Sequence, residues 1–143
     1  MQTSSQGLTL IKQFEGFRPT PYRCPAGKLT IGYGHVIKAG EVFTNINKQK
    51  ASDILQSDIK PIETWLRMHM TLSLTQNQWD ALVSFIFNIG LGKFRESRVF
   101  SNLASQNIKE ALRLWGQWVH AGGLKLKGLE DRRKAEIKLF QEN

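Results

Sequence analysis

The stretch around residues 22–36 constrains the fold more than any other part of the sequence. Leu29, Ile31 and Tyr33 alternate there with other residues, as they would on a β-strand. Six prolines and glycines in and just before this stretch exclude a helix: Pro19, Pro21, Pro25, Gly27, Gly32 and Gly34. The chain is therefore predicted to form a small hairpin or meander here.

Helical patterns flank this stretch. Residues 8–15 have the spacing of a short helix, with Leu8, Ile11 and Glu15 on one side and Gly16 as the stop. From residue 51 to residue 66 the apolar residues follow a 3.6-residue period, and Pro61 predicts a kink within that helix. A helix, a sheet segment and a longer helix therefore follow one another.

The second half of the chain is predicted to be entirely helical. A capping-box pattern at residues 75–78 begins a helix that is apolar on all sides through Phe87, which predicts the buried centre of the protein. Gly90 and Gly92 are predicted to end it. Two more helices are predicted, one from residue 107 and one over about residues 129–140, with a Gly122–Gly123 loop between them.

These elements predict an α+β fold in a single domain of 143 residues. We expect a sheet lobe over about residues 16–46, and a helical body over about residues 47–143 that includes the N-terminal helix. A cleft between two such lobes is a natural ligand site.

The composition restricts the partners. Lys and Arg outnumber Asp and Glu by 20 to 12, a net charge of +8 that predicts an anionic partner. The charge is spread along the chain without a nucleic-acid-binding motif, so we expect no nucleic acid. A single cysteine and three scattered histidines predict no disulfide framework and no metal site. Because neither a signal peptide nor a membrane-spanning segment is apparent, we expect a chain made in a cytoplasm.

Three residues could carry chemistry near the predicted cleft. Glu15 lies on the apolar side of the first helix, where partial removal from water suits a carboxyl group to donate a proton, although it could also turn to solvent. Cys24 lies in a Pro/Gly-rich turn beside Arg23, a setting that favours a reactive thiolate over an inert core cysteine. Thr30 follows on the predicted strand, and by alternation its hydroxyl points away from the side that carries Leu29 and Ile31.

The combination of these residues is more specific than any of them alone. Glu15, Cys24 and Thr30 are separated by eight and five residues and lead into the run Ile-Gly-Tyr-Gly-His at 31–35. This pattern resembles the phage-type lysozymes, the endolysins of glycoside hydrolase family 24. The resemblance continues through residues 74–85, 87–90, 118–123 and 128–136. It therefore covers nearly the whole chain.

The resemblance implies a lysozyme-like fold and a muramidase that hydrolyses the β-1,4 bond between N-acetylmuramic acid and N-acetylglucosamine. It implies that Glu15 is the general acid, that Cys24 holds the place usually taken by an aspartate, and that Thr30 helps to hold the attacking water. We expect Asn88 and Gly34 to contact the substrate. Glycoside cleavage needs an acid on one side of the bond and an anion or base on the other. Cys24 as a thiolate could stabilise the cation, attack it or orient water, and these three roles stay open.

Three further residues are predicted to support the site. Asp58 lies on the apolar stripe of the helix that follows the sheet and needs a partner there, and the resemblance implies that His35 pairs with it. Either Arg132 or Arg133 could turn inward from the last helix, and the resemblance favours Arg132 as the partner of Glu15.

The resemblance also implies how such a protein acts. We expect no cofactor, a monomer, and peptidoglycan glycan strands within an anionic bacterial envelope as the target. We expect accumulation in the host cytoplasm, and access to the wall after a holin-type protein opens the inner membrane. Two other readings stay open: a Cys24-dependent peptidoglycan peptidase or amidase with His35 as its base, and a family member that binds without cutting.

Overall fold

The computed structural model describes residues 1–142. The described residues form seven helices: α1 (Ser5–Glu15), α2 (Lys48–His69), α3 (Gln76–Ile89), α4 (Leu91–Glu96), α5 (Arg98–Ala104), α6 (Ile108–Trp115) and α7 (Lys127–Gln141). Five short strands complete the described part: β1 (Arg18–Arg23), β2 (Leu29–Gly32), β3 (His35–Val36), β4 (His120–Ala121) and β5 (Leu124–Lys125). None of the helices within residues 1–142 has the length and apolar character that crossing a bilayer needs.

Helix α1 places Glu15 at the junction between helix and sheet. The Ser4 side chain caps the first turn by accepting a hydrogen bond from the Gly7 amide. Gly16 ends the helix with a φ of +72°, a conformation that favours glycine. Glu15 is therefore the last helical residue, as the sequence predicted, and the chain turns directly from it into β1.

The sheet is antiparallel, in the order β1-β2-β3, and Tyr22 of β1 lies opposite Thr30 of β2. Residues 29–32 form the predicted strand, but burial does not alternate along it. Leu29 is exposed, whereas both Thr30 and Ile31 are buried, because α2 packs on this strand and covers the end that contains Gly32. Tyr33 lies in the turn between β2 and β3 and not on a strand.

Helix α3 is the buried centre of the described residues. The predicted capping box is present at its first turn, with reciprocal hydrogen bonds between Thr75 and Gln78. Every residue from 79 to 86 is buried, including the polar Asp80 and Ser84, in agreement with the predicted buried helix. Helices α1 and α7 both pack against α3. Residues of α1 can therefore contact residues of α7 beside this helix.

The region after α3 differs from the prediction in two places. Gly90 ends α3 with a φ of +96°, but Gly92 lies inside α4 and ends nothing. Helices α4 and α5 were not predicted, because elements of six and seven residues are too short to show a helical period. The segment around Gly122 and Gly123 forms the turn of a small β4–β5 hairpin, where the sequence predicted only a loop.

Two carboxylates hold the N-terminal segment on the helical body. Asp80, which is fully buried, accepts hydrogen bonds from the Ser4 amide at 3.0 Å and from the Ser4 hydroxyl. Glu63 accepts from the Thr3 amide at 2.7 Å and from the Thr3 hydroxyl at 2.8 Å. These bonds fix the start of α1, and therefore the direction in which α1 carries Glu15 towards the sheet.

We expect Asp80→Ala to lower the free energy of unfolding by about 2–3 kcal/mol, because it leaves the half-buried donors of Ser4 without an acceptor and empties a buried position. Urea unfolding followed by circular dichroism measures the change. Asp53→Ala is the matched control, since Asp53 bonds only to the exposed Gln49 side chain, and a change within about 0.5 kcal/mol is expected there. Equal losses in the two variants would contradict this description of α1 docking.

Candidate active site

The Glu15 carboxylate lies between a guanidinium and a tight turn. Its Oε2 is 2.6 Å from Nη1 of Arg132 on α7, and its side chain is 18% exposed. On the other side lies Gly34, in the turn between β2 and β3. A Cβ atom on Gly34 would be 2.5 Å from Glu15 Oε1, so only glycine allows the turn to approach the carboxylate this closely.

Cys24 lies in the turn that closes the β1–β2 hairpin, and Thr30 lies on β2 next to that turn. The Cys24 amide donates to the Lys28 carbonyl at 2.9 Å, which closes the turn after β1. Thr30 is buried, and its hydroxyl donates to the same carbonyl at 2.9 Å. Burial and the nearby charge of Glu15 raise the pKa of Tyr22, and Cys24 acts in the same direction. Tyr22 therefore lies within the electrostatic reach of both predicted catalytic groups.

The hydrogen bonds of the hairpin favour the thiolate form of Cys24. Desolvation raises the pKa of the thiol, but bonds from the Lys28 backbone, the Thr30 side chain and the Ala26 backbone outweigh it, so that the net shift is downward. A thiol with a lowered pKa carries negative charge at a lower pH than an ordinary cysteine. The side chain is half-buried and remains accessible to small reagents.

This shift predicts the pH dependence of alkylation. We expect the rate of Cys24 alkylation by iodoacetamide to reach half its maximum at a lower pH than that of a cysteine in a model peptide. Thr30→Val removes the hydroxyl that helps to lower the pKa of Cys24 and should move this midpoint to higher pH, whereas Thr9→Val, at an exposed position on α1, should not. Mass spectrometry follows the reaction, and a midpoint that Thr30→Val leaves in place would contradict the contribution of Thr30 to the pKa of Cys24.

His35 is held on both sides by carboxylates. Its Nδ1 lies 2.8 Å from Asp58 Oδ2, so the predicted contact is present. Its Nε2 lies 2.9 Å from Oε1 of Glu41, which the sequence did not predict as a partner. The Lys38 amide, at 2.7 Å, and His35 lower the pKa of Glu41. Glu41 lies in an irregular loop, where no periodic pattern marks a residue as facing inward.

Both arginines of the α7 pair turn inward, whereas the sequence left the choice between them open. Arg132 contacts Glu15, and Arg133 donates from Nη2 to Asn88 Oδ1 at 2.7 Å. Burial lowers the pKa of the Arg133 guanidinium to about 10, against the opposing effect of Glu136. Glu136 itself is fully buried between the two arginines and was not predicted as a site residue.

The structure thus brings the predicted residues together in three groups. Glu15, Gly34 and Arg132 are in direct contact, and Cys24 and Thr30 lie together on the adjoining hairpin. His35 and Asp58 contact each other, and Asn88 joins the first group only through Arg133 and Glu136.

Residues 12–136 match the protein family described as Phage lysozyme. The chain belongs to this family. An endolysin of Acyrthosiphon pisum secondary endosymbiont phage 1 is 37% identical over 147 residues, which cover 99% of either chain. Two solved structures have the same fold over 99% of this chain. The muramidase domain of SpmX from Asticaccaulis excentricus is 34% identical, with a TM-score of 0.89 over 99% of that chain. An endolysin from Escherichia coli O157:H7 phage FAHEc1 is 30% identical, with a TM-score of 0.87 over 94% of that chain.

Membership of the phage lysozyme family confirms two predictions. The α+β lysozyme-like fold, with a small antiparallel sheet and a larger helical region, is the fold of the solved relatives. The class of enzyme is the predicted one, a lysozyme-type glycosidase.

Proposed function

We propose that this phage lysozyme is an endolysin that hydrolyses the β-1,4 bond between N-acetylmuramic acid and N-acetylglucosamine in peptidoglycan. The observation that carries the proposal is the position of Glu15. Its carboxyl group is mostly shielded from water, held by Arg132 and placed against the turn at Gly34, next to the hairpin with Cys24 and Thr30. Cleavage of a glycosidic bond needs an acid and an anionic or basic group in such an arrangement.

In this mechanism Glu15 protonates the glycosidic oxygen as the bond to the leaving sugar breaks. The anomeric carbon then develops positive charge, and a negative group on the opposite face stabilises it. We assign that role to Cys24, whose lowered pKa favours the thiolate. Asn88 and Gly34 are assigned to the substrate-binding surface, and His35 with Asp58 to the support of the sheet lobe.

We further propose that Cys24 and Thr30 orient the attacking water, that the Cys24 thiolate accepts the proton which this water loses, and that Cys24 does not attack the sugar itself. The Thr30 hydroxyl helps to lower the pKa of Cys24, which supports the two side chains acting on one water molecule. Attack by water on the face opposite the leaving group inverts the anomeric configuration. NMR of the first-formed sugar product, from the parent protein and from Cys24→Asp, tests this step. Inversion in both proteins supports it, and retention in the parent protein would instead indicate a covalent thioglycoside.

The cysteine peptidase or amidase alternative needs His35 to accept a proton from the Cys24 thiol. Both ring nitrogens of His35 are occupied, Nδ1 by Asp58 and Nε2 by Glu41, so neither faces the sulfur. Digestion of purified peptidoglycan separates the two chemistries. We expect new reducing sugar ends and no new amino groups, whereas an amidase or peptidase would release amines.

We propose that the chain acts as a monomer, as a single domain whose sheet lobe covers about residues 16–46 and whose helical body covers the rest. Its positive charge attracts it to the anionic envelope. Access to the wall from the host cytoplasm is proposed to depend on a holin-type membrane protein. Expression in a bacterial host with and without a holin tests this route, and rapid lysis without the holin would refute it.

A further inference from the structure

The Glu136 carboxylate is the centre of a buried hydrogen-bond network that is connected to Glu15 through Arg132. It accepts hydrogen bonds from Ser84 Oγ at 2.6 Å, Trp115 Nε1 at 3.1 Å, Arg132 Nε at 3.1 Å and Arg133 Nη2 at 3.4 Å. Arg133 Nε is also 2.9 Å from Glu136 Oε1, although it is not aligned for a hydrogen bond. Both Glu136 and Ser84 are fully buried.

This network leaves the Arg132 guanidinium a single orientation. Its Nε donates to Glu136, and its Nη2 donates to the Ser84 carbonyl at 3.0 Å. Only Nη1 remains directed at Glu15 Oε2, at 2.6 Å. A planar guanidinium with two of its three nitrogens fixed in this way cannot rotate without breaking buried hydrogen bonds.

The charges of the network alternate along the same path. Glu15 is followed by Arg132, then by Glu136 and then by Arg133, and every neighbouring pair is within 3.1 Å. Without Glu136, two buried guanidinium groups would share the single carboxylate of Glu15. Arg133 would then repel Arg132 and attract Glu15, and both would leave their present geometry, because a buried charge without a partner is costly.

We propose that Glu136 is a positioning residue of the active site, which acts through Arg132 to hold the Glu15 carboxyl group in place for proton transfer. The inference rests on the proposed function, since it concerns the orientation of the proposed acid. Glu136 has no contact with the substrate side of the molecule. Its contribution must therefore disappear when Arg132 is absent, whereas a purely structural contribution would not.

A double-mutant cycle tests this dependence. Glu136→Gln is expected to lower kcat about 10- to 100-fold, because the acid is displaced relative to the glycosidic oxygen. Arg132→Gln is expected to lower kcat as well, and adding Glu136→Gln to it should change kcat by less than about twofold. Asp131→Asn is the matched control, since Asp131 is exposed on the same helix and pairs only with Lys127, and its kcat should equal that of the parent protein.

An NMR measurement checks that Glu136→Gln is folded, and a second variant replaces it if it is not. The indole N–H resonance of Trp115 should move in Glu136→Gln while the other tryptophan resonances stay in place, which shows a folded protein with only this network altered. If Glu136→Gln does not fold, the cycle is run with Ser84→Ala, which keeps the charge of Glu136 and removes the bond at 2.6 Å. The expected loss of kcat is then about 3- to 10-fold, again only when Arg132 is present.

The outcomes separate this inference from the proposed function. A parent protein that releases no reducing ends from peptidoglycan refutes the proposed function. An active parent protein in which the losses from Glu136→Gln and Arg132→Gln multiply, or in which Glu136→Gln leaves kcat unchanged, refutes the positioning role alone.

Discussion

Replacing Glu15 with glutamine is expected to lower the rate of peptidoglycan hydrolysis by about 10³-fold or more, because an amide of the same shape cannot donate the proton that the leaving oxygen needs. The variant should stay folded. Arg132 loses a charged partner at 2.6 Å but keeps its bonds to Glu136 and to the Ser84 carbonyl. Release of reducing ends from purified peptidoglycan measures the activity, and urea unfolding measures the stability of the same preparation.

Glu110→Gln is the control for this substitution. Glu110 also pairs with an arginine, Arg113, but on the surface of α6 and away from the proposed site. We expect this variant to hydrolyse peptidoglycan at the rate of the parent protein. If Glu15→Gln were as active as Glu110→Gln, Glu15 would not be the general acid.

Gly34→Ala is expected to reduce activity by at least about 100-fold, because a displacement of the reacting group by about 1 Å has an effect of that size. The new Cβ would lie 2.5 Å from Glu15 Oε1 and 3.0 Å from its carboxyl carbon, so either the turn or the carboxyl group must move. Because φ at this position is +79°, the backbone is strained as well, at a cost of about 1–2 kcal/mol in the free energy of unfolding.

Gly40→Ala separates the effect of the close contact with Glu15 from the effect of backbone strain. Gly40 has a φ of +87°, and a Cβ there would meet no atom within 4 Å. Gly40→Ala should therefore lower the free energy of unfolding about as much as the backbone strain in Gly34→Ala does. Its activity at a temperature well below the unfolding midpoint should equal that of the parent protein. Equal activities of the two alanine variants would contradict the close contact between the turn and the proposed acid.

The helices whose signals are local could be predicted from the sequence. The capping box at Thr75 and the stop at Gly16 each depend on a few neighbouring residues, and both are present. The short helices α4 and α5 were missed because neither is long enough to show a period. Burial does not alternate along the predicted strand β2, because it depends on α2, which is distant in the sequence.

The site could be predicted only in part, for a related reason. The family motif located Glu15, Cys24 and Thr30, and the contact of Arg132 with Glu15 is the one that the resemblance implied. Glu41 and Glu136 were missed because a carboxylate receives its role from donors on other elements. The partners of Glu136 come from α3, α6 and α7, and no spacing within α7 predicts that they meet.

The identity of the new sugar end tests the central claim most directly. Soluble fragments released from purified peptidoglycan are reduced with borohydride, and mass spectrometry identifies which sugar has become an alcohol. If Glu15 and Cys24 act as proposed, the parent protein should yield reduced N-acetylmuramic acid and Glu15→Gln should yield almost none. A reduced N-acetylglucosamine end, an anhydro sugar that borohydride leaves unchanged, or equal yields from the two proteins would contradict the account.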